Sequence, residues 1–135
     1  MIKKITHNDK VVAIVFKKQD DKDIKEGINF LTNPEEPLQT GILNHPKGHI
    51  ISPHVHNAVE KKITKIQEML YVELGKMKVT FFSEDNKKIG EEILEPGDLI
   101  VLLDIGHGFE MLENSRLIYS KQGPYINKET DKKLL

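Results

Sequence analysis

Short apolar runs alternate with turn-forming residues along most of the chain, and this pattern predicts a protein built from β-strands. Val11–Phe16 is a continuous run of mostly β-branched and aromatic residues, and strand-favouring side chains occupy every second position in Ile28–Thr32 and in Met77–Phe81. Both patterns are typical of strands, and hardly any stretch keeps the spacing of an amphipathic helix for several turns. We therefore expect an all-β fold of roughly eight to ten strands.

Turn signals separate these runs at short intervals. They contain Pro, Gly, Asn or Asp, and they lie at Asn33-Pro34, Pro46-Lys47-Gly48, Leu74-Gly75-Lys76, Glu84-Asp85-Asn86, Glu95-Pro96-Gly97-Asp98 and Gln122-Gly123-Pro124. Short strands at such spacing are typical of a mostly antiparallel sandwich or barrel. The polar stretch Asn57–Lys65 is predicted to be a surface loop, and the charged tail Lys128–Leu135 is predicted to be a short helix or irregular.

Composition and charge exclude several classes of function. Lys and Arg number 20 and Asp and Glu number 21, which gives a net charge of −1 and no electrostatic basis for binding nucleic acid. The chain has no cysteine, so a metal ion would have to be bound by histidine and carboxylate side chains. There is no secretory signal pattern and no apolar run of membrane-spanning length, so we expect a cytoplasmic protein without a membrane partner.

The six histidines carry the clearest chemical signal in the sequence. His54 and His56 are two residues apart, so in an extended segment both imidazoles lie on one face with their Cα atoms about 7 Å apart. Two ring nitrogens can then bind one ion. His7, His45 and His49 have no second histidine two residues away, and we interpret them as ordinary structural or surface residues.

Residues around this pair complete a longer pattern. Five residues separate Gly48 from His54, and six separate Glu68 from Gly75; a second group is formed by Gly97, Asp98 and His107. In this order and spacing the sequence resembles the cupin superfamily, whose first motif is Gly, five residues, His-x-His, a spacer, Glu, six residues and Gly. The spacer between His56 and Glu68 is longer here than in the family motif. The second motif is looser, because Leu102 and Asp104 stand where the family usually has Pro and Gly.

The resemblance implies a double-stranded β-helix, the cupin jelly-roll barrel, in one domain spanning residues 1–135. The barrel would occupy about 38–121, with additional N-terminal strands in 1–37 and a charged tail at 126–135. Four side chains would bind one divalent metal ion, Fe, Mn, Ni or Zn: His54, His56, Glu68 and His107. Glu60 is the alternative carboxylate, because it follows His56 at the spacing of the shorter motif, but it stands in the polar loop and not on a strand.

The function implied by the resemblance is that of a small metalloenzyme acting on a small polar substrate, with a sugar or sugar derivative expected. The reaction would be of the isomerase or epimerase type, or an iron-dependent dioxygenation, and no residue can be assigned as general acid or base. The alternative is a non-catalytic module that binds a metal or a small ligand. The segment Lys121–Tyr125 is loosely similar to the ends of small bacterial cupins that accompany surface-polysaccharide biosynthesis genes.

A homodimer is also expected. Cupin barrels commonly dimerise through an N-terminal strand, and Val11–Phe16 would expose a continuous apolar strand if it lay at a sheet edge.

Overall fold

Ten strands form the framework of residues 2–135, the part of the chain that the computed structural model describes. The strands are β1 (Lys3–His7), β2 (Lys10–Phe16), β3 (Gly27–Phe30), β4 (Gly41–Asn44), β5 (Glu68–Leu74), β6 (Met77–Phe82), β7 (Lys88–Leu94), β8 (Leu99–Leu102), β9 (Gly106–Met111) and β10 (Arg116–Lys121). A 3-10 helix spans Lys18–Asp23, and one helical turn, α1, spans Lys128–Asp131. The predicted all-β fold is confirmed, but the strands of residues 2–135 form three open sheets and no closed barrel, so the jelly roll stays a prediction.

The strands form three sheets, and every strand pairing within residues 2–135 is antiparallel. The largest sheet has the order β1-β2-β8-β5-β10, a three-stranded sheet has the order β7-β6-β9, and β3 pairs with β4. The predicted turns connect them: Gly75 (φ +90°) joins β5 to β6, and Asn86 (φ +60°) lies between β6 and β7. Both residue types tolerate the left-handed backbone that tight turns require.

The five-stranded sheet is covered on both faces. One apolar core lies between it and the three-stranded sheet and includes Ala13, Val15, Leu70, Val72, Met77, Val79, Phe81, Leu94, Ile100 and Leu102. A second core lies on the opposite face and includes Ile14, Phe16, Leu31, Val101 and Leu103, with Ile42 of β4 packed against it. Alternate residues of β2 and β8 therefore enter different cores, which explains why both strands are continuously apolar.

This packing corrects the role predicted for Val11–Phe16. The run forms most of β2, which pairs with β1 on one side and β8 on the other, and Val12–Phe16 are buried. It is an interior strand and cannot supply an exposed apolar edge. The homodimer stays a prediction, but β1 and β10 are the edge strands of this sheet.

The longest connection joins β4 to β5. Residues 45–67 contain no helix or strand. All of them are exposed except His45, which is half-buried, and Gln67, which is buried. The predicted surface loop at Asn57–Lys65 is confirmed and forms part of this connection. Loops of this length in a small domain are uncommon and are usually either functional or linkers, so its histidines need separate consideration.

Candidate functional site

Glu68 and His107 meet at one open end of the gap between the two larger sheets. Glu68 begins β5 on the same face as Leu70 and Val72, both of which lie in the core between these sheets. His107 belongs to β9 and stands directly opposite the buried Phe81 of β6. Period-two alternation thus places both polar side chains on the inner faces of their strands, where the apolar core ends.

The two side chains are in direct contact. Nε2 of His107 lies 2.7 Å from Oε1 of Glu68, and the side chains are 28% and 18% exposed, respectively. The other ring nitrogen, Nδ1, lies 2.9 Å from the backbone carbonyl oxygen of Ile105. Because a carbonyl oxygen can only accept, Nδ1 carries a proton and donates it to Ile105. The imidazole is therefore fixed in orientation with Nε2 directed at the carboxylate.

The electrostatics of this pair favour its charged form. The hydrogen bond from His107 lowers the pKa of Glu68 against the opposing effect of burial, and the charges of His107, Lys121 and Lys132 lower it further. Burial is the largest single influence on the pKa of His107 and acts to lower it, but the hydrogen bonds to Glu68 and Ile105 and the charge of Glu68 together raise that pKa. A proton held between the two groups is consequently stable over a wider pH range than in isolated side chains.

The other two predicted metal ligands lie outside any strand. His54 and His56 are exposed residues of the 45–67 connection, and their rings contact each other edge to face with centroids 5.3 Å apart. Nδ1 of His54 lies 2.8 Å from the carbonyl oxygen of Ser52. His54 thus has the same arrangement as His107, in which one ring nitrogen is bound to the carbonyl two residues earlier. The alternative carboxylate, Glu60, is exposed in the same connection.

The structure brings the predicted ligands together as two pairs. Glu68 contacts His107, and His54 contacts His56. Across residues 2–135, no group of three or more histidine, aspartate or glutamate side chains is placed closely enough to hold an ion. The four-residue metal site stays a prediction, and its completion requires movement of the connection that carries His54 and His56.

A cleft of about 610 Å³ opens beside the Glu68–His107 pair. The final residues of the chain line it together with Phe82, Asp104 and Phe109. Gly106 lies at its wall, where a Cβ would stand 2.8 Å from the carbonyl oxygen of Phe82 and 2.6 Å from Cδ1 of Leu135. Glycine is needed here because backbone and tail approach more closely than a side chain permits.

Lys121 is a residue of this cleft that the sequence did not identify as part of a site. It stands opposite Glu68 in the β5–β10 register, and its Nζ lies 2.8 Å from Oδ2 of Asp131. One signal could have found it: the alternation of β10 places Lys121 on the same face as Leu117, which packs on the core.

Gln67 anchors the start of β5 and was also missed. Its side chain is fully buried, accepts a hydrogen bond from the backbone N–H of Leu38 (3.1 Å) and donates to Glu36 (2.5 Å). Its own backbone N–H donates to Oε1 of Gln122 at 2.8 Å. These bonds fix the residue next to Glu68 to two other segments, so the carboxylate is held on a rigid base.

Within the described part of the chain, no helix is long and apolar enough to cross a membrane. Comparisons with protein families, with characterised proteins and with solved structures find no match for this chain. The function must therefore be argued from the geometry of the site itself.

Proposed function

We propose that this chain is a small cupin-type metalloprotein that binds one divalent ion with His54, His56, Glu68 and His107 and acts on a small polar substrate. The observation that carries the proposal is the convergence of Nε2 of His107 and Oε1 of Glu68 at 2.7 Å. Glu68 and His107 come from different sheets and are far apart in sequence. The two cupin-like motifs nevertheless predicted both of them as metal ligands.

The contact between them requires a cation. Since Nδ1 of His107 carries a proton for Ile105, Nε2 either holds a second proton or presents a lone pair. A lone pair facing a carboxylate oxygen is repulsive, so either a proton or a metal ion must lie between the two atoms. Two ligand atoms at right angles, each about 2.1 Å from a metal, are about 3 Å apart, which is close to the observed separation.

The donor chemistry also fits a metal. A metal-bound histidine usually donates its other ring N–H to a carbonyl or carboxylate, which fixes the ring and the tautomer. His107 does so to Ile105 and His54 to Ser52, each two residues earlier. Three imidazoles and one carboxylate suit Fe(II), Mn(II), Ni(II) or Zn(II) and leave coordination positions for substrate.

The fold supports the same family. Two sheets of antiparallel strands pack on a common core without closing into a barrel, and the site lies at one end of the gap between them, where a jelly roll would hold an internal site. The motif residues Gly48 and Gly75 both have φ +90°, a backbone that favours glycine. The 45–67 connection leads directly into Glu68, so its histidines are tethered to the site.

In the reaction, a bound ion would polarise adjacent oxygen atoms of the substrate. With the ion bound, Nε2 of His107 and Oε1 of Glu68 would be ligands, Ile105 would fix the imidazole through Nδ1, and the cleft would give a small molecule access to the ion. Polarisation of a carbonyl oxygen favours loss of the proton on the neighbouring carbon, which an isomerase or epimerase of sugars requires. We expect a cytoplasmic role in the synthesis of surface polysaccharide.

A second candidate is proton transfer without a metal. The direct hydrogen bond between His107 and Glu68 favours it, because the pair is already assembled while His54 and His56 are apart from it. Non-catalytic binding of a metal or small ligand is the remaining alternative.

Metal titration separates the metal-dependent proposal from proton transfer without a metal. Tag-free protein is stripped with a chelator and titrated with Zn²⁺, Mn²⁺, Ni²⁺ and, without oxygen, Fe²⁺ by calorimetry. We expect about one ion per chain, with affinity reduced at least tenfold in His54→Ala, His107→Ala and Glu68→Gln. Glu60→Gln and His49→Ala are the matched controls and should bind normally.

Failure of all four ions to bind the parent protein would refute the metal site and favour metal-independent proton transfer. Normal affinity in Glu68→Gln together with a loss in Glu60→Gln would place the carboxylate ligand in the loop.

A further inference from the structure

We propose that the C-terminal segment (residues 127–135) is a lid over the cleft beside Glu68 and His107, and that the Lys121–Asp131 ion pair is the latch that holds this lid closed. Opening of the latch then controls how readily a small molecule reaches the two side chains. This inference goes beyond the proposed function, because it concerns access to Glu68 and His107 whether or not an ion binds there.

The C-terminal segment connects the two larger sheets at the place where the candidate site lies. Asp131 binds Lys121 at the end of β10, which is an edge strand of the five-stranded sheet. Leu135 lies against Gly106 at the start of β9, which is an edge strand of the three-stranded sheet. Lys121 stands opposite the first residue of β5, and Gly106 immediately precedes the histidine of the site. The segment therefore spans the same gap as the site, and residues 131–135 line the cleft.

The latch is more enclosed than an ordinary surface ion pair. Nζ of Lys121 lies 2.8 Å from Oδ2 of Asp131, and the two side chains are 19% and 18% exposed. Arg116 and Glu73, which pair at the other end of β10, are 64% and 43% exposed. The ring centroid of Tyr125 lies 5.8 Å from the same Nζ and adds a cation–π contact. Because attraction between charges increases as water is excluded, the latch holds the segment more strongly than an exposed pair would.

The chain is held firmly where it leaves β10 and weakly beyond that point. Oε1 of Gln122 accepts a hydrogen bond from the backbone N–H of Gln67 at 2.8 Å, which fixes the end of β10. Farther along, α1 is a single turn, capped by the Asn127 side chain at 2.8 Å from the Thr130 N–H. One turn of helix is not stable alone, and no residue of 127–135 is buried. The segment can therefore move away from the cleft without disturbing the sheets.

The apolar side chains of this region argue against a purely structural role. Ile126 is 74% exposed, Leu134 is 84% exposed and Leu135 is 50% exposed. A segment that mainly stabilised the fold would bury such side chains, because apolar burial is the dominant favourable contribution to packing. The segment instead lies at the cleft that contains Glu68 and His107, whose side chains are only 18% and 28% exposed with the segment in place. Its position therefore affects access to the site more than the stability of the sheets.

The experiment measures how fast diethyl pyrocarbonate modifies His107 in metal-free protein, with peptide mass spectrometry to separate this residue from the other histidines. Asp131→Asn and Lys121→Met each remove one charge of the latch. If the lid is closed in about nine of ten molecules and only the open form reacts, complete release raises the rate about tenfold. Glu73→Gln is the matched control, since it also removes a carboxylate paired with a cation of β10, and it should react at the rate of the parent.

The two latch variants separate opening of the lid from a change in local charge. Loss of the negative charge of Asp131 disfavours the protonated imidazole, whereas loss of the positive charge of Lys121 favours it. Since the reagent attacks the neutral ring, charge alone would raise the rate in Asp131→Asn and lower it in Lys121→Met. Loss of the latch raises the rate in both.

Hydrogen exchange supplies the second readout. The amides of Thr130, Asp131 and Lys132 donate hydrogen bonds to Asn127 or Lys128 and report on the turn. Exchange at these amides should be faster in both latch variants than in the parent, because the turn loses its attachment to β10. Exchange in β5 should stay unchanged, which shows that the sheets remain folded.

Three results would overturn the inference: a rate at His107 that fails to rise in either latch variant, an equal rise in Glu73→Gln, or exchange that is unchanged in residues 127–135 or accelerated equally in β5. The proposed function is tested separately, because neither measurement requires a metal. Faster modification together with no metal binding would therefore refute only the metal site. Normal metal binding together with an unchanged rate of modification would refute only the latch.

Discussion

The two glycines of the first motif should differ greatly in their tolerance of a side chain. Gly48 and Gly75 have the same backbone angle, φ +90°, so an alanine at either position pays the cost of a left-handed conformation, roughly 1–2 kcal/mol. Their surroundings differ. A Cβ at Gly48 would meet nothing within 4 Å, whereas a Cβ at Gly75 would lie 2.6 Å from Cα of Ser115 and closer still to the carbonyl oxygen of Asn114.

The crowded atoms at Gly75 are Oγ of Ser115 and two backbone atoms, and relief of the backbone contacts requires the turn before β10 to move. Ser115 also accepts a hydrogen bond from the Lys76 N–H at 3.1 Å, and this bond would be strained by such a shift. Overpacking of this kind costs roughly 1–3 kcal/mol. Added to the conformational cost, it gives about 2–5 kcal/mol for Gly75→Ala against about 1–2 kcal/mol for Gly48→Ala.

Thermal denaturation followed by circular dichroism would measure the difference. For a domain of this size 1 kcal/mol corresponds to roughly 3–6 °C, so Gly75→Ala should melt at least several degrees below Gly48→Ala. Urea denaturation provides the free energies directly. Equal destabilisation by the two substitutions, or a larger effect at Gly48, would show that the contacts around Gly75 are not those described and would refute the reasoning.

Two further predictions concern charged groups. In metal-free protein the pKa of His107 is raised, so the stability that His107 adds to the fold is complete below its ordinary pKa of 6.5 and is lost as pH rises through the folded pKa. The pKa of Glu68 is lowered, so the stability that Glu68 adds is complete above its ordinary pKa of 4.5 and is lost as pH falls through the folded pKa. The stability difference between the parent and Glu68→Gln in urea should therefore be largest near pH 5.5, and equal differences near pH 5.5 and pH 9 would contradict this. Asp98→Ala should lower the free energy of unfolding by about 3 kcal/mol, because this 5% exposed carboxylate accepts hydrogen bonds from Lys17 and from two backbone N–H groups. A loss below 1 kcal/mol in urea denaturation would show that these bonds are replaced by water.

Much of the strand framework could be predicted because its signals are local. The turn at Gly75 and the alternation in Met77–Phe81 each depend on residues adjacent in sequence, and both were predicted correctly. The position of a strand within a sheet is not local. The expected dimer depended on Val11–Phe16 lying at a sheet edge, although a continuous apolar run favours a strand covered on both faces, as β2 is.

The candidate site shows the same limit. Glu68 and His107 could be selected from their spacing, but their contact depends on how β5 and β9 face each other across the core. The contribution of the C-terminal segment could not be predicted at all, because Lys128–Leu135 has no apolar periodicity and its position depends on Lys121. Charged residues in a short tail carry no pattern that distinguishes a solvated end from a segment docked on a site.

The candidate site combines residues on strands with residues on an irregular connection, and this has a consequence for binding. Glu68 and His107 are held by strands with hydrogen bonds along their length, so they lose little freedom when a ligand arrives. His54 and His56 lie on a connection without helix or strand, and Asp131 lies on a single helical turn. An ion bound by all four side chains must therefore order the connection, so its affinity includes the free energy of that rearrangement.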